Sequence, residues 1–277
     1  DGNAAAALLL GLFYDRGIIA QPNRDEALDW YEKASVNPVG AFILGTYVSQ
    51  GTDIRKNTEK GKALLQQAAD AGFSYANLNL AVMKQQEGEV FLPELEKALA
   101  LGNSTAGLLL ADYYLSLGND NTQMQQARDI YQHFADKGDR NAQLKLAFLY
   151  DRGLGGEANV ELAATWYTLS AKQGQPVSQY LLGMMYQLGR LGSVPDYAQA
   201  KKWFALAKTT YIPAAVSLGF IFDTVDDNYA NAWENYQLAA RQHDAIGQYN
   251  LGLIYEEGKG QPVDAEKAAS LYQAAAE

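Results

Sequence analysis

The sequence predicts an all-α chain: a solenoid of about eight helix-turn-helix repeats. Three observations predict it. A leucine followed by a small residue recurs at Leu10-Gly11, Leu44-Gly45, Leu80-Ala81, Leu110-Ala111, Leu146-Ala147, Leu182-Gly183, Leu218-Gly219 and Leu251-Gly252, at steps of 34, 36, 30, 36, 36, 36 and 33 residues. Four positions before each leucine stands another small residue: Ala6, Gly40, Ala76, Ala106, Ala142, Ser178, Ala214 or Gly247. Further on in each unit comes a second apolar segment with helical spacing, led by an aromatic-rich pair and followed by alanine, as in Trp30-Tyr31 with Ala34. A period of this length is the mark of a repeat architecture, and apolar residues at i, i+3 and i+4 argue helix rather than strand.

Within each unit the first helix carries small residues on either side of its leucine. That pattern suits a face pressed closely against neighbouring helices, where a larger side chain would hold the backbones apart. Four residues after the leucine comes Tyr14, Tyr114, Tyr150, Tyr186, Phe222 or Tyr255, with Val48 and Lys84 as exceptions. The second helix is clearest at Trp166-Tyr167 with Ala171 and Trp203-Phe204 with Ala207. Its weaker copies are Leu64-Leu65, Ile130-Tyr131, Asn235-Tyr236 and Leu271-Tyr272. Gly72, Gly102, Gly138 and Gly174 each lie eight residues before the next leucine, where glycine ends a helix in the left-handed conformation. The units so defined run near 4–37, 38–72, 73–102, 103–138, 139–174, 175–210, 211–243 and 244–277, one solenoid in all. The third is the irregular one, with Lys84 in place of an aromatic and Pro93-Glu94 where its second helix should start, so a local distortion is expected there. The sixth leaves through Tyr211-Ile212-Pro213, and the seventh ends at His243.

Composition removes several function classes. The 277 residues include no cysteine and two histidines far apart, which excludes disulfides, thiolate metal sites and cysteine nucleophiles and makes poor material for any metal centre. The formal net charge of -10 is spread along the chain, with 11 basic and 17 acidic groups up to residue 138 and 11 and 15 after it. No basic stripe stands out, so nucleic acid is disfavoured as a partner. The apolar run from Ala4 to Phe13 falls far short of the roughly 20 residues that span a bilayer. No serine, histidine and acid arrangement, carboxylate dyad or metal cluster emerges, so neither an enzyme nor a cofactor is expected. Gly258-x-Gly260 lacks the preceding strand and third glycine of a phosphate loop. His133 and His243 read as surface or capping residues. The twin Tyr-Asp-Arg-Gly segments at Tyr14 and Tyr150 read as turns that leave first helices.

Units such as Ala142 to Gly174, and the last unit from Leu251-Gly252 through Tyr255, Gly258-Lys259-Gly260, Asp264 and Lys267-Ala268, resemble Sel1-like repeats of the tetratricopeptide-related family. The resemblance covers essentially the whole chain. It implies a right-handed superhelix with first helices on the concave face and second helices on the back. It also implies a fragment of a longer protein, since the chain starts almost at a first helix and stops after a second with no evident cap. By the same resemblance, first-helix residues two before, two after and five after each leucine face inward. The expected partner-binding residues are therefore Phe42, Phe148, Asp151, Tyr180, Met184, Phe220, Asp223, Tyr249 and Glu256. Tyr180, Phe220 and Tyr249 are expected to form a row of rings.

The function this implies is a non-catalytic scaffold that binds another protein or peptide along the concave face. The glutamine-rich, degenerate units resemble those of long bacterial enhanced-entry proteins. That likeness points to a periplasmic or secreted protein of the envelope or of host contact that restrains a peptidoglycan lytic transglycosylase. The alternatives are an envelope assembly scaffold for secretion or polysaccharide export, and a carbohydrate-binding module. Oligomeric state is not legible.

Overall fold

The computed structural model describes residues 3–51, 57–118 and 121–277. The described residues form sixteen α-helices and no strand. In chain order they are α1 (Ala4–Asp15), α2 (Arg24–Ala34), α3 (Pro38–Gln50), α4 (Thr58–Asp70), α5 (Ser74–Gln86), α6 (Leu92–Ala100), α7 (Ser104–Leu117) and α8 (Asn121–Asp136). Then follow α9 (Arg140–Arg152), α10 (Val160–Lys172), α11 (Pro176–Gln187), α12 (Tyr197–Ala207), α13 (Ile212–Thr224), α14 (Tyr229–Arg241), α15 (Ala245–Glu257) and α16 (Ala265–Ala276). Odd-numbered helices carry the leucine and small-residue motif, and even-numbered ones carry the second apolar and alanine motif, with an aromatic residue in all but α4 and α6. The chain divides into two compact units, Asp1–Gly118 and Asn119–Glu277, and within each unit every helix packs on the one before it and the one after it.

The two small positions of each first helix serve two different neighbours. A Cβ added at Gly40 would stand 2.2 Å from the Ala34 carbonyl oxygen, and one at Gly247 2.4 Å from the Ala239 Cβ, so the earlier position is pressed against the preceding second helix. The position after the leucine meets the helix's own partner. A Cβ at Gly11 would lie 2.5 Å from the Tyr31 ring, at Gly183 2.6 Å from Phe204, at Gly219 2.7 Å from Tyr236 and at Gly252 2.6 Å from Tyr272. The second-helix ring packs against the first helix at this small position, glycine or Ala147, and Tyr31, Tyr167, Phe204 and Tyr236 are almost wholly buried.

Helix ends follow from local chemistry. Asn3, Asn23, Asn37, Asn57, Asn103, Asp139, Asn159, Asp196, Asn228, Asp244 and Asp264 each accept a backbone N–H of the following first turn. Gly72, Gly102, Gly138 and Gly174 all have φ between 78° and 90° with open space around the missing Cβ, so backbone conformation alone selects glycine there. His243 occupies the same place in the seventh unit with φ 58°. At the irregular third unit α6 forms despite Pro93, because that proline falls in the first turn where no N–H is needed, and the helix is the shortest of those described. Lys84 reaches across to Glu94 at 2.8 Å, so the cation that interrupts the aromatic pattern answers a nearly buried carboxylate of α6.

Candidate interaction face

Positions one turn beyond the leucines behave differently from the rest of the first helices. Asp15, Asp151, Asp223 and Glu256 stand five residues after their leucines, and each is opposed by a second-helix tyrosine of its own repeat. The Tyr31 hydroxyl donates to Asp15 at 3.4 Å, and the Tyr272 hydroxyl donates to Glu256. Asp223 acts on Tyr236, and Asp151 on Tyr167 through its charge. Where the second helix offers Leu65 or Phe204, the acid is replaced by Ser49 or Gln187. Burial first, and then the adjacent carboxylate, pushes the hydroxyls of Tyr31, Tyr167 and Tyr236 far above the usual tyrosine range; Tyr272 is pushed up to about 12 by burial and by its bond to Glu256.

Some of these acids also bind the following repeat. Asp15 accepts the Tyr47 hydroxyl of the next repeat at 2.6 Å, besides pairing with Arg24 of its own repeat at 3.4 Å; Asp151 holds Arg190 of the next repeat at 2.5 Å. The acid in each Tyr-Asp-Arg-Gly segment thus ties one repeat to the next, while Gly17 and Gly153 take φ 65° in the turn that follows. A second set of ties, which the motif reading passed over, comes from buried amides three residues before the leucine. Gln143 donates to the Ala135 carbonyl at 3.2 Å and Gln179 to the Ala171 carbonyl at 3.1 Å, satisfying the open end of the preceding helix. Their signal in the sequence was a glutamine on an otherwise apolar, small-residue face.

The aromatic and methionine candidates divide by register. Of those two before the leucine, Phe42 and Tyr180 pack within the fold. Phe42 meets Phe73 edge-on with centroids 4.9 Å apart, and Tyr180 sits between Phe204 and Tyr211 at 5.7 and 5.0 Å. Tyr249 touches Tyr272 at 5.7 Å and remains 51% exposed beside Ile246 and Leu253. Those two after the leucine look outward: Phe148 is 39% and Phe220 46% exposed, while Met184 and Leu253 at the same register are half-buried. Tyr180 and Tyr249 therefore belong to one register and Phe220 to another. The outward row of the second compact unit is Phe148, Met184, Phe220 and Leu253, on four successive first helices.

Among the described residues no group of three His, Asp or Glu could hold a metal ion, and no helix is long and apolar enough to cross a membrane. His133 and His243 are both exposed. Helix pairs in register, close-packed glycines and a half-exposed apolar row define a helical-repeat protein. The Sel1 repeat model matches residues 4–35, 38–73, 140–175, 176–209, 221–244 and 245–277, more than half of the chain, and the chain belongs to the Sel1 repeat family. An uncharacterized protein of Neisseria meningitidis serogroup B is 30% identical over 227 residues, covering 80% of this chain and 47% of that protein. The ERAD-associated E3 ubiquitin-protein ligase component HRD3B of Arabidopsis thaliana is 33% identical over 98 residues, 35% of this chain and 16% of its own length. The chain spans less than half the length of either relative. A solved Sel1 repeat protein from Oxalobacter formigenes is 28% identical, with a TM-score of 0.59 over 76% of this chain and 86% of that one. These likenesses fix the fold class as an all-α repeat solenoid.

Proposed function

We propose that the chain is a non-catalytic scaffold that binds another protein, or an extended segment of one, across its first-helix face. One observation carries this reading. In the second compact unit, Phe148 and Phe220 keep 39% and 46% of their surface in water at a repeated register, with Met184 between them and Leu253 after them. Apolar side chains in a row on repeated elements mark a docking surface more often than scattered ones do. Buried aromatic anchors also supply most interface energy. Membership of a family that includes a component of a ubiquitin-ligase assembly supports the same reading. The finer expectation is a periplasmic or secreted setting with a peptidoglycan lytic transglycosylase as the partner, and it rests on resemblance to enhanced-entry proteins. The test is affinity capture from a bacterial envelope extract on the immobilised chain, with the F148S/F220S double variant alongside. A partner recovered by the parent and lost by the variant is the expected result; equal recovery by both moves the site elsewhere on the surface.

A further inference from the structure

The fifth and seventh repeats carry the same two groups at the same register but not the same company. In α9, Phe148 and Asp151 are both supplied with cations by the chain itself. The Arg152 guanidinium lies 5.8 Å from the Phe148 ring centre, and Arg190 from the next repeat binds Asp151 at 2.5 Å. In α13 the matching groups are Phe220 and Asp223. Thr224 stands where Arg152 stood, its hydroxyl turned back to the Phe220 carbonyl at 2.8 Å. The residue matching Arg190 is Lys259, and it is held by Glu257 at 2.7 Å, an acid whose counterpart in the earlier repeat is Leu188. Arg152 thus has no counterpart on Phe220, and Lys259, whose charge still acts on Asp223, makes its ion pair with Glu257 instead. Phe220 is left more exposed than Phe148, and the Asp223 Oδ1 atom is buried with no hydrogen-bond partner among the described residues.

We propose that the Phe220 and Asp223 corner of α13 receives an arginine side chain of the bound partner, its guanidinium against the ring and the carboxylate. The two groups are three residues apart on one helix face, within reach of a single planar guanidinium. Arginine fits better than lysine because its flat fork both stacks on an aromatic face and donates to a carboxylate. The fold uses arginine for both tasks in the fifth repeat. Burial holds the Asp223 carboxyl above the usual range even though the Lys259 charge nearby works against it, so a cation that arrives there meets a poorly solvated charge that gains from pairing. The net charge of -10 favours the approach of such a partner.

This inference rests on the first-helix face being the binding face, and the experiment separates the two. A phage-displayed library of random peptides is selected on the immobilised full chain, and the binders are resynthesised with arginine or with neutral citrulline. The expected result is a pool enriched in arginine, whose affinity by fluorescence polarisation falls about tenfold or more on citrulline replacement or on Asp223→Asn. Thr224→Arg, which restores an internal cation at an exposed helix end, weakens the same peptides while leaving the melting temperature near that of the parent. Peptides that depend on Phe148 and Phe220 but ignore citrulline, D223N and T224R would overturn the arginine site and leave the face intact. Failure to recover binders, or binders indifferent to F148S/F220S, would overturn both.

Discussion

At the residue scale, two positions show how directly local geometry selects a side chain. His243 takes the left-handed turn that glycine takes at Gly72, Gly102, Gly138 and Gly174, with φ 58°. A side chain in that region costs roughly 1 to 2 kcal/mol, partly offset by the greater freedom glycine has when unfolded. H243G is therefore expected to stabilise the fold by up to about 1 kcal/mol in chemical denaturation, and a loss of stability would mean the imidazole has a role in the folded state. Gly183 is the opposite case, with the Phe204 ring against its bare backbone. Gly183→Leu must displace that ring and should cost at least about 1 to 3 kcal/mol, whereas Gln187→Ala should change the melting temperature little. The need for a small residue at this place was legible in the sequence. What presses on it was not, because spacing along one helix does not say that one glycine meets the preceding repeat and the other its own partner helix.

At the element scale, helix existence was legible from period and caps even in the third repeat, where Pro93 proved compatible with α6. The reason Lys84 breaks the aromatic pattern was not, since its answer, Glu94, lies ten residues on and on another helix. Removing the cation alone strands a nearly buried carboxylate. Lys84→Met should cost about 1 to 3 kcal/mol, and adding Glu94→Leu should return most of it, as paired groups exchanged together for apolar ones commonly do. A double-mutant cycle by urea unfolding checks this, and additive losses would show that the pair is not coupled. The candidate site was half legible in the same sense. The repeat register named Phe148 and Phe220, and both are outward. It also named Phe42 and Tyr180, which the structure places against Phe73, Phe204 and Tyr211, because those contacts depend on which residue starts the next helix. The acids Asp151 and Glu256 were named for their charge, yet both have partners inside the fold, Arg190 and Tyr272.

At the scale of the whole molecule, stability is distributed over repeated contacts between neighbouring helices, and in four repeats a second-helix tyrosine packs on the first helix with an acid beside its hydroxyl. Tyrosines whose folded pKa values are raised keep their protons in the native state while the unfolded chain releases them near pH 10. Their contribution is complete below that pH and is lost as pH rises through about 12, the value reached by Tyr272, and beyond it for Tyr31, Tyr167 and Tyr236. The phenolate absorbance of the three buried ones, Tyr31, Tyr167 and Tyr236, should appear together with loss of helical circular dichroism; their ionisation well before unfolding would contradict the packing described. For function, the repeated fold matters because it sets equivalent side chains at one register on successive helices, and the outward row is what remains after the fold has used the others. The most direct test is a calorimetric titration of the partner into the parent chain and into F148S/F220S, with thermal melts of both. The account predicts an unchanged melt and binding weakened by at least about 2 kcal/mol, the usual mark of a hot-spot cluster; unchanged binding with an unchanged melt would contradict it.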